Sequence, residues 1–211
     1  SRNRLVALVN TRYLLFADAD AVPDHGWATA MRRAFDRDER VAVVGARCVP
    51  VWPGHMPLLF DTAPALDMLG MFDLGPNPLE APRIVGTSFA LDRERLPATP
   101  PFSRELGRRP DSPFGQEEVH YCLAVRRAGW RLRYEPAAVI RHHVRPHRAR
   151  WAWMRTRAFV AGQESRIVGH LEPLPRTMGP RDLLFRALIA PWFIAGRTRG
   201  ADSSAQSGRE I

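Results

Sequence analysis

The stretch Tyr13-Leu14-Leu15-Phe16-Ala17-Asp18-Ala19-Asp20 constrains this chain more than any other. Its aromatic and aliphatic run is long enough for a buried strand, and it climbs into two carboxylates one residue apart. Pro23 and Gly26 then stop the strand from continuing. The carboxylates therefore stand at a strand's carboxyl end, and in an open α/β sheet ligands bind outside that end. Two oxygen ligands at i and i+2 suit a hard divalent cation, which commonly shares its sphere with a substrate phosphate. An isolated Asp-x-Asp pair serves equally well to open a turn before Pro23, so other segments decide between the two.

The chain of 211 residues is long enough for one full domain with appendages, and its hydrophobic content of 45% is ordinary for a globular protein. All 31 basic residues are arginine. The lack of lysine excludes Schiff-base chemistry and a P-loop lysine. A formal charge of +9 implies attraction to anions: nucleic acid, a nucleotide diphosphate or an anionic membrane. Cys48 and Cys122 lie in apolar stretches and read as reduced core thiols, which fits a cytoplasmic setting. There is no secretory leader and no uncharged apolar run long enough to span a membrane. Ser1-Arg2-Asn3-Arg4 runs directly into a helical pattern without an initiating Met or a preceding strand, and this reads as a piece whose N-terminal part is missing.

Helical periodicity over Trp27 to Phe35 predicts a helix, and Val41 to Gly45 predicts a buried strand. Residues 50–82 are rich in Pro, Met and Gly and carry Trp52, Phe60 and Phe72, so they form either a flap over a pocket or short helices against the core. Arg83 to Leu91 predicts a strand, Asp92 to Leu96 a short helical turn, and the proline-rich 97–115 stretch a loop. A helix then starts at Glu117-Glu118 and ends at Arg126-Arg127-Ala128-Gly129. Acids in its first turn, arginines in its last and the glycine beyond are the expected charge and capping signals. Glu117 and Glu118 could serve as dipole partners alone. The same helix N-terminus also favours the ionised carboxylate that a proton acceptor needs.

Trp130 to Glu135 alternates like a half-exposed strand that Pro136 stops, and Ala138-Val139-Ile140 leads into Arg141-His142-His143. Adjacent strand residues face opposite ways, so one histidine at most faces a site there. From Arg145 to Arg157, arginines interleave with Trp151 and Trp153. That pattern fits a solvated helix face, an anionic membrane or a diphosphate better than nucleic acid, since no nucleic-acid motif accompanies it. Leu183 to Ile194 is strongly apolar between Arg181 and Arg197, and it reads either as a helix packed on the domain or as an interfacial membrane contact. The Ser-, Gly- and Ala-rich end reads as a disordered tail.

Taken in order, Arg2-Asn3, Tyr13 to Asp20 with Pro23 and Trp27, Val85-Gly-Thr-Ser-Phe-Ala90, Glu117-Glu118 before Arg127-Ala-Gly-Trp130, and Tyr134-Glu-Pro-Ala-Ala-Val-Ile-Arg-His142 resemble the family 2 inverting glycosyltransferases of the GT-A fold. The resemblance covers residues 1 to about 166. It implies an α/β fold with a GT-A-type, Rossmann-like mixed sheet flanked by helices, N-terminally incomplete and with a C-terminal helical extension. The transferase domain would occupy residues 1–166, the extension 167–198 and the tail 199–211. The resemblance also implies that Asp18, Asp20 and Arg2 serve the nucleoside-diphosphate-sugar donor. Asp20 and His142 would serve a divalent cation, Mn2+ or Mg2+, and Glu118, preceded by Glu117, would be the catalytic base. Glu stands where the family usually has Asp, which leaves open which of the two carboxylates reaches the acceptor. The Gln-x-x-Arg-Trp signature of processive synthases is absent, since Gln163-Glu-Ser-Arg166 lacks the Trp, so a non-processive enzyme is expected.

The expected reaction is metal-dependent inverting sugar transfer to an acceptor hydroxyl in cell-surface glycan or glycolipid synthesis. The acceptor could be lipid-linked, and the protein is expected in the cytoplasm, with peripheral contact at the inner face of the membrane. Two other classes compete: an inactive nucleotide-sugar-binding domain, and a basic membrane-surface or nucleic-acid module over residues 141–197. A sugar nucleotidyltransferase is disfavoured by the missing lysines and by the lack of a glycine-rich start.

Overall fold

The computed structural model describes residues 2–96, 102–104, 106–107, 114–169 and 174–206. The chain runs through α1 (Arg2–Leu8), β1 (Tyr13–Ala17), β2 (Ala21–Pro23), α2 (Trp27–Asp36), β3 (Val41–Val51) and α3 (Ala63–Met68). It continues through β4 (Leu79–Glu80), β5 (Ser88–Asp92), α4 (Glu117–Arg127), β6 (Arg131–His143), α5 (Trp151–Val168) and α6 (Pro180–Gln206).

Strand β3 is central because Val41 to Ala46 are buried without a break, as a strand covered on both faces must be. It pairs in parallel with β6 and antiparallel with β5, and the sheet order is β1-β5-β3-β6-β2, with β4 on β6. This mixed sheet flanked by helices is the expected fold class. Helix α2 packs Met31, Ala34 and Phe35 against the sheet, and Tyr13 of β1 stacks on Phe35 at 5.1 Å between ring centroids.

The 50–82 segment resolves into α3, β4 and connecting turns. Phe60 and Phe72 are fully buried there, which favours short elements against the core over an open flap. Phe60 meets Trp151 and Phe185 edge-on, at 5.2 and 6.5 Å, and so locks α5 and α6 to the domain. Two local expectations are corrected. Pro136 does not stop its strand: β6 runs through it because the pairing with β3 jumps from Ala46/Glu135 to Arg47/Val139. In that bulge the missing N–H of proline leaves no ladder bond unmade. Arg93 to Leu96 forms one turn after β5, closed by the Arg95 N–H on the Asp92 carbonyl at 3.2 Å, and does not go on as a helix, because the Asp92 carboxylate accepts from the Glu94 N–H at 3.1 Å and binds Arg12 and Arg95. Most of the 97–113 part of the predicted loop lies outside the described residues.

Helix α5 extends past residue 166, and α6 continues to Gln206, into the stretch whose composition suggests a tail. The two helices cross without room for side chains. A Cβ on Gly162 would lie 2.1 Å from the Phe193 carbonyl oxygen, and one on Gly196 only 1.9 Å from that of Phe159. Among the described residues no helix is long and apolar enough to cross a membrane.

Candidate active site

Asp18 follows β1 directly, and its N–H donates to the Thr87 carbonyl at 2.9 Å, just before β5 begins. Asp20 precedes β2, and its carbonyl accepts the His143 N–H at 2.8 Å. The ends of β1 and β6 are thereby tied at the same edge of the sheet. The two aspartates diverge from there into two clusters.

The first cluster is built on Arg2 of α1. Its Nη1 hydrogen-bonds Glu117, and the same nitrogen lies 3.7 Å from Glu118. Nη2 donates to the Gly86 carbonyl at 3.0 Å and lies 3.7 Å from Asp18. The guanidinium also sits 5.7 and 5.9 Å from the ring centroids of Phe89 and Phe102, within cation–π range. Three carboxylates thus gather round one half-buried cation, which offsets their mutual repulsion. Both glutamates occupy the first turn of α4, where the helix dipole favours acids. Glu118 packs so closely on Gly86 that a Cβ there would lie 2.9 Å from its Cδ.

In the second cluster the Asp20 carboxylate lies 3.4 Å from His142 Nε2 and accepts from Arg145 Nε at 3.1 Å. Burial, the largest single influence, pushes the Asp20 carboxyl up. His142, a backbone hydrogen bond and Arg145 together outweigh it and hold the group below its ordinary value. His142 is buried and His143 exposed, as strand alternation requires. The pair offers one carboxylate oxygen, the donor that suits Mg2+ or Mn2+, and one imidazole nitrogen. Among the described residues no group of three or more His, Cys, Asp and Glu is placed to hold a metal by itself. A cation on Asp20 and His142 would therefore need ligands from a diphosphate and water, which is the usual arrangement for Mg2+ in phosphate-handling sites. The residues fit such an ion.

Asp18, Asp20, Glu117 and Glu118 open onto one cleft of about 1380 Å³, which Arg176, Arg186 and Phe193 also line. Five of the six expected site residues line this cleft, and Arg2 joins the acids directly, whereas His142 is buried against Asp20 and does not line it. Sequence reasoning missed the supports. Glu164 of α5, 2% exposed, accepts from the Gly115 N–H at 2.8 Å, Gln116 Nε2 at 3.2 Å and Arg157 Nη2 at 2.7 Å, and so fixes the entry to α4. Asn3 pairs with both backbone groups of Phe102, at 2.8 and 3.1 Å. Gly86 belongs to the Val85–Ala90 motif, which by itself assigns it no role, and Glu164 to Gln163–Arg166, which bears only on processivity.

No known protein-family profile matches the chain. By structure it is similar to a mannosyltransferase from Pyrobaculum calidifontis in complex with GDP-Man and Mn2+. The TM-score is 0.52 at 18% identity, covering 99% of this chain and 54% of that one. By sequence it is similar to the pre-mycofactocin glycosyltransferase of Mycobacterium tuberculosis, with 29% identity over 164 residues, 77% of this chain and 33% of the relative. It also resembles the glucosyl-dolichyl phosphate glucuronosyltransferase of Haloferax volcanii, 22% identical over 178 residues, 82% of this chain and 56% of the relative. The fold is thus the one seen in GT-A glycosyltransferases, and the two sequence relatives are themselves glycosyltransferases. It spans only about a third to a half of the length of the curated relatives it matches.

Proposed function

We propose that this chain carries the transfer site of a metal-dependent, inverting, non-processive glycosyltransferase of family 2 type. It would move a sugar from a nucleoside-diphosphate-sugar to an acceptor hydroxyl in cell-surface glycan or glycolipid synthesis. The observation that carries the reading is the convergence, on one cleft, of the Arg2-centred acids and Asp20, with the buried His142 3.4 Å from the Asp20 carboxylate. The chain's relation to a dolichyl-phosphate glucuronosyltransferase favours a lipid-linked acceptor, met at the inner face of the membrane. Residues 1–166 would form the transferase domain and 167–198 an extension of it; α6 carries that extension on to Gln206 instead of ending at a tail from 199.

In this reading Glu118 takes the proton of the acceptor hydroxyl as its oxygen attacks the anomeric carbon from the side opposite the diphosphate. The carbon–oxygen bond to the diphosphate breaks, its electron pair stays on the phosphate oxygen, and the anomeric configuration inverts. Glu117, held by Arg2, and Gly86, flush against Glu118, fix the base in place. Asp18 orients the donor. Asp20 and His142 would hold a divalent cation, and such an ion, when bound, supplies Lewis-acid compensation for the charge on the departing diphosphate.

The test is Mn2+-dependent binding of a nucleotide-sugar panel, read by calorimetry on the protein as encoded, for the wild type and Asp20→Ala. The reading expects at least one donor whose affinity needs the metal and falls about tenfold or more in the variant. Metal-independent binding that Asp20→Ala leaves unchanged contradicts it. An inactive nucleotide-sugar-binding domain would bind the donor but never turn it over.

A further inference from the structure

The buried side of α6 is occupied by Phe185 and Ile189, while Leu183, Leu184, Leu188, Trp192 and Ile194 remain 59, 52, 45, 36 and 58% exposed. At 100° per residue these five fall on one side of the helix, with exposed Ala187 and Pro191 between them and no charged residue among them. The border is arginine throughout. Arg181 precedes the face, Arg197 and Arg199 follow it, and Arg155 of α5 places its guanidinium 4.9 Å from the Trp192 ring. Arg181 is paired with Asp61 at 2.8 Å, and Asp182 turns inward to accept from the Ala63 N–H at 2.7 Å.

We propose that this face of α6 docks onto an anionic lipid bilayer surface, lying in the headgroup region without crossing it. The leucines, Ile194 and Trp192 supply depth, and the arginine border supplies attraction to lipid phosphates. Charge decides against the other occupants. Two copies meeting face to face through a two-fold axis would bring arginine border against arginine border. Nucleic acid would match the arginines but would leave the leucines nothing apolar to cover them. On its inner side α6 contributes Arg186, Ile189 and Phe193 to the cleft that holds Asp18 and Glu118. Docking therefore holds the cleft one helix diameter, ~10 Å, from the headgroups, within reach of a lipid-linked acceptor. That last consequence rests on the transfer reading, whereas the docking itself does not.

The experiment is flotation of the chain with phosphatidylcholine vesicles and with mixed phosphatidylcholine/phosphatidylglycerol vesicles, for the wild type and two variants. The wild type floats with the anionic vesicles and far less with the neutral ones. Combining Leu184→Glu with Leu188→Glu lowers partitioning about tenfold per residue while the melting temperature holds, because both side chains already face water. Combining Arg197→Ser with Arg199→Ser weakens binding about fivefold per arginine. Three results overturn the proposal: no flotation with anionic vesicles, equal flotation of the leucine variant, or concentration-dependent dimerisation that the leucine variant abolishes. No sugar nucleotide enters the measurement, so a failure here leaves the transfer reading intact, and a failure of donor binding leaves this face intact.

Discussion

Gly86→Ala separates the chemistry of the site from its stability. A Cβ at this position would lie 2.9 Å from Glu118 Cδ and 3.0 Å from both Glu118 Oε1 and Arg2 Nη2, whereas ordinary contact begins near 3.4 Å. Something must retreat by about half an ångström, since contacts inside the van der Waals minimum rise steeply in energy. All three atoms are far ends of flexible side chains, so the carboxylate and guanidinium move before the backbone does. The expected stability loss stays within about 1–2 kcal/mol, at the low end for overpacking. A misplacement of about 1 Å at a reacting group costs on the order of 10²-fold in rate, so kcat falls by about 10–10²-fold while donor KM changes little. The assay is steady-state sugar transfer at saturating donor, paired with a thermal melt of the same preparation. Full activity in Gly86→Ala would refute the placement of Glu118 in the reaction. A collapsed melting temperature would show Gly86 to be a packing residue instead.

Three further outcomes follow from packing and burial. Glu164→Ala leaves Arg157 as a half-buried cation facing unsatisfied Gly115 and Gln116 donors, costs about 3 kcal/mol and lowers the melting temperature by about 10 °C. An unchanged melt refutes that role. Gly162→Ala forces a Cβ against a backbone oxygen 2.1 Å away, which a side-chain rotation cannot relieve. Limited trypsin digestion at the arginines of α6 should therefore accelerate several-fold, and unaltered digestion contradicts the close crossing. Burial pushes the Cys48 and Cys122 thiols each up to about 12, so both remain protonated and inert below that pH. A thiol reagent at pH 8 should label neither in the native protein and both in denaturant, and rapid native labelling refutes their burial.

What the sequence discloses of this fold is its local part. The apolar run ending at Asp18 and Asp20, the charged and capped α4, and the split orientation of His142 and His143 all follow from periodicity over a few residues. Pro136 misleads because a bulge is defined by two strands, and β3, whose Ala46 and Arg47 bracket it, lies far away in sequence. The core placement of Phe60 and Phe72 was legible only as an alternative, since an irregular segment has no period to reveal which way its side chains face. The site shows the same division. Its acids are visible as motifs, but Arg2 meets Glu117 across 115 positions and Gly115 meets Glu164 across 49, and no local signal marks such pairs. Gly86 carries meaning only once the Glu118 carboxylate is seen against it.

Sugar transfer by Glu118→Gln, compared with the wild type on the protein as encoded, tests the central claim most directly. Glutamine keeps the shape of the side chain at Gly86 but cannot take a proton. The transfer reading predicts that kcat falls by about 10²–10⁴-fold while the donor still binds with Mn2+ at close to wild-type affinity. A Glu118→Gln protein that transfers sugar at close to the wild-type rate would contradict it.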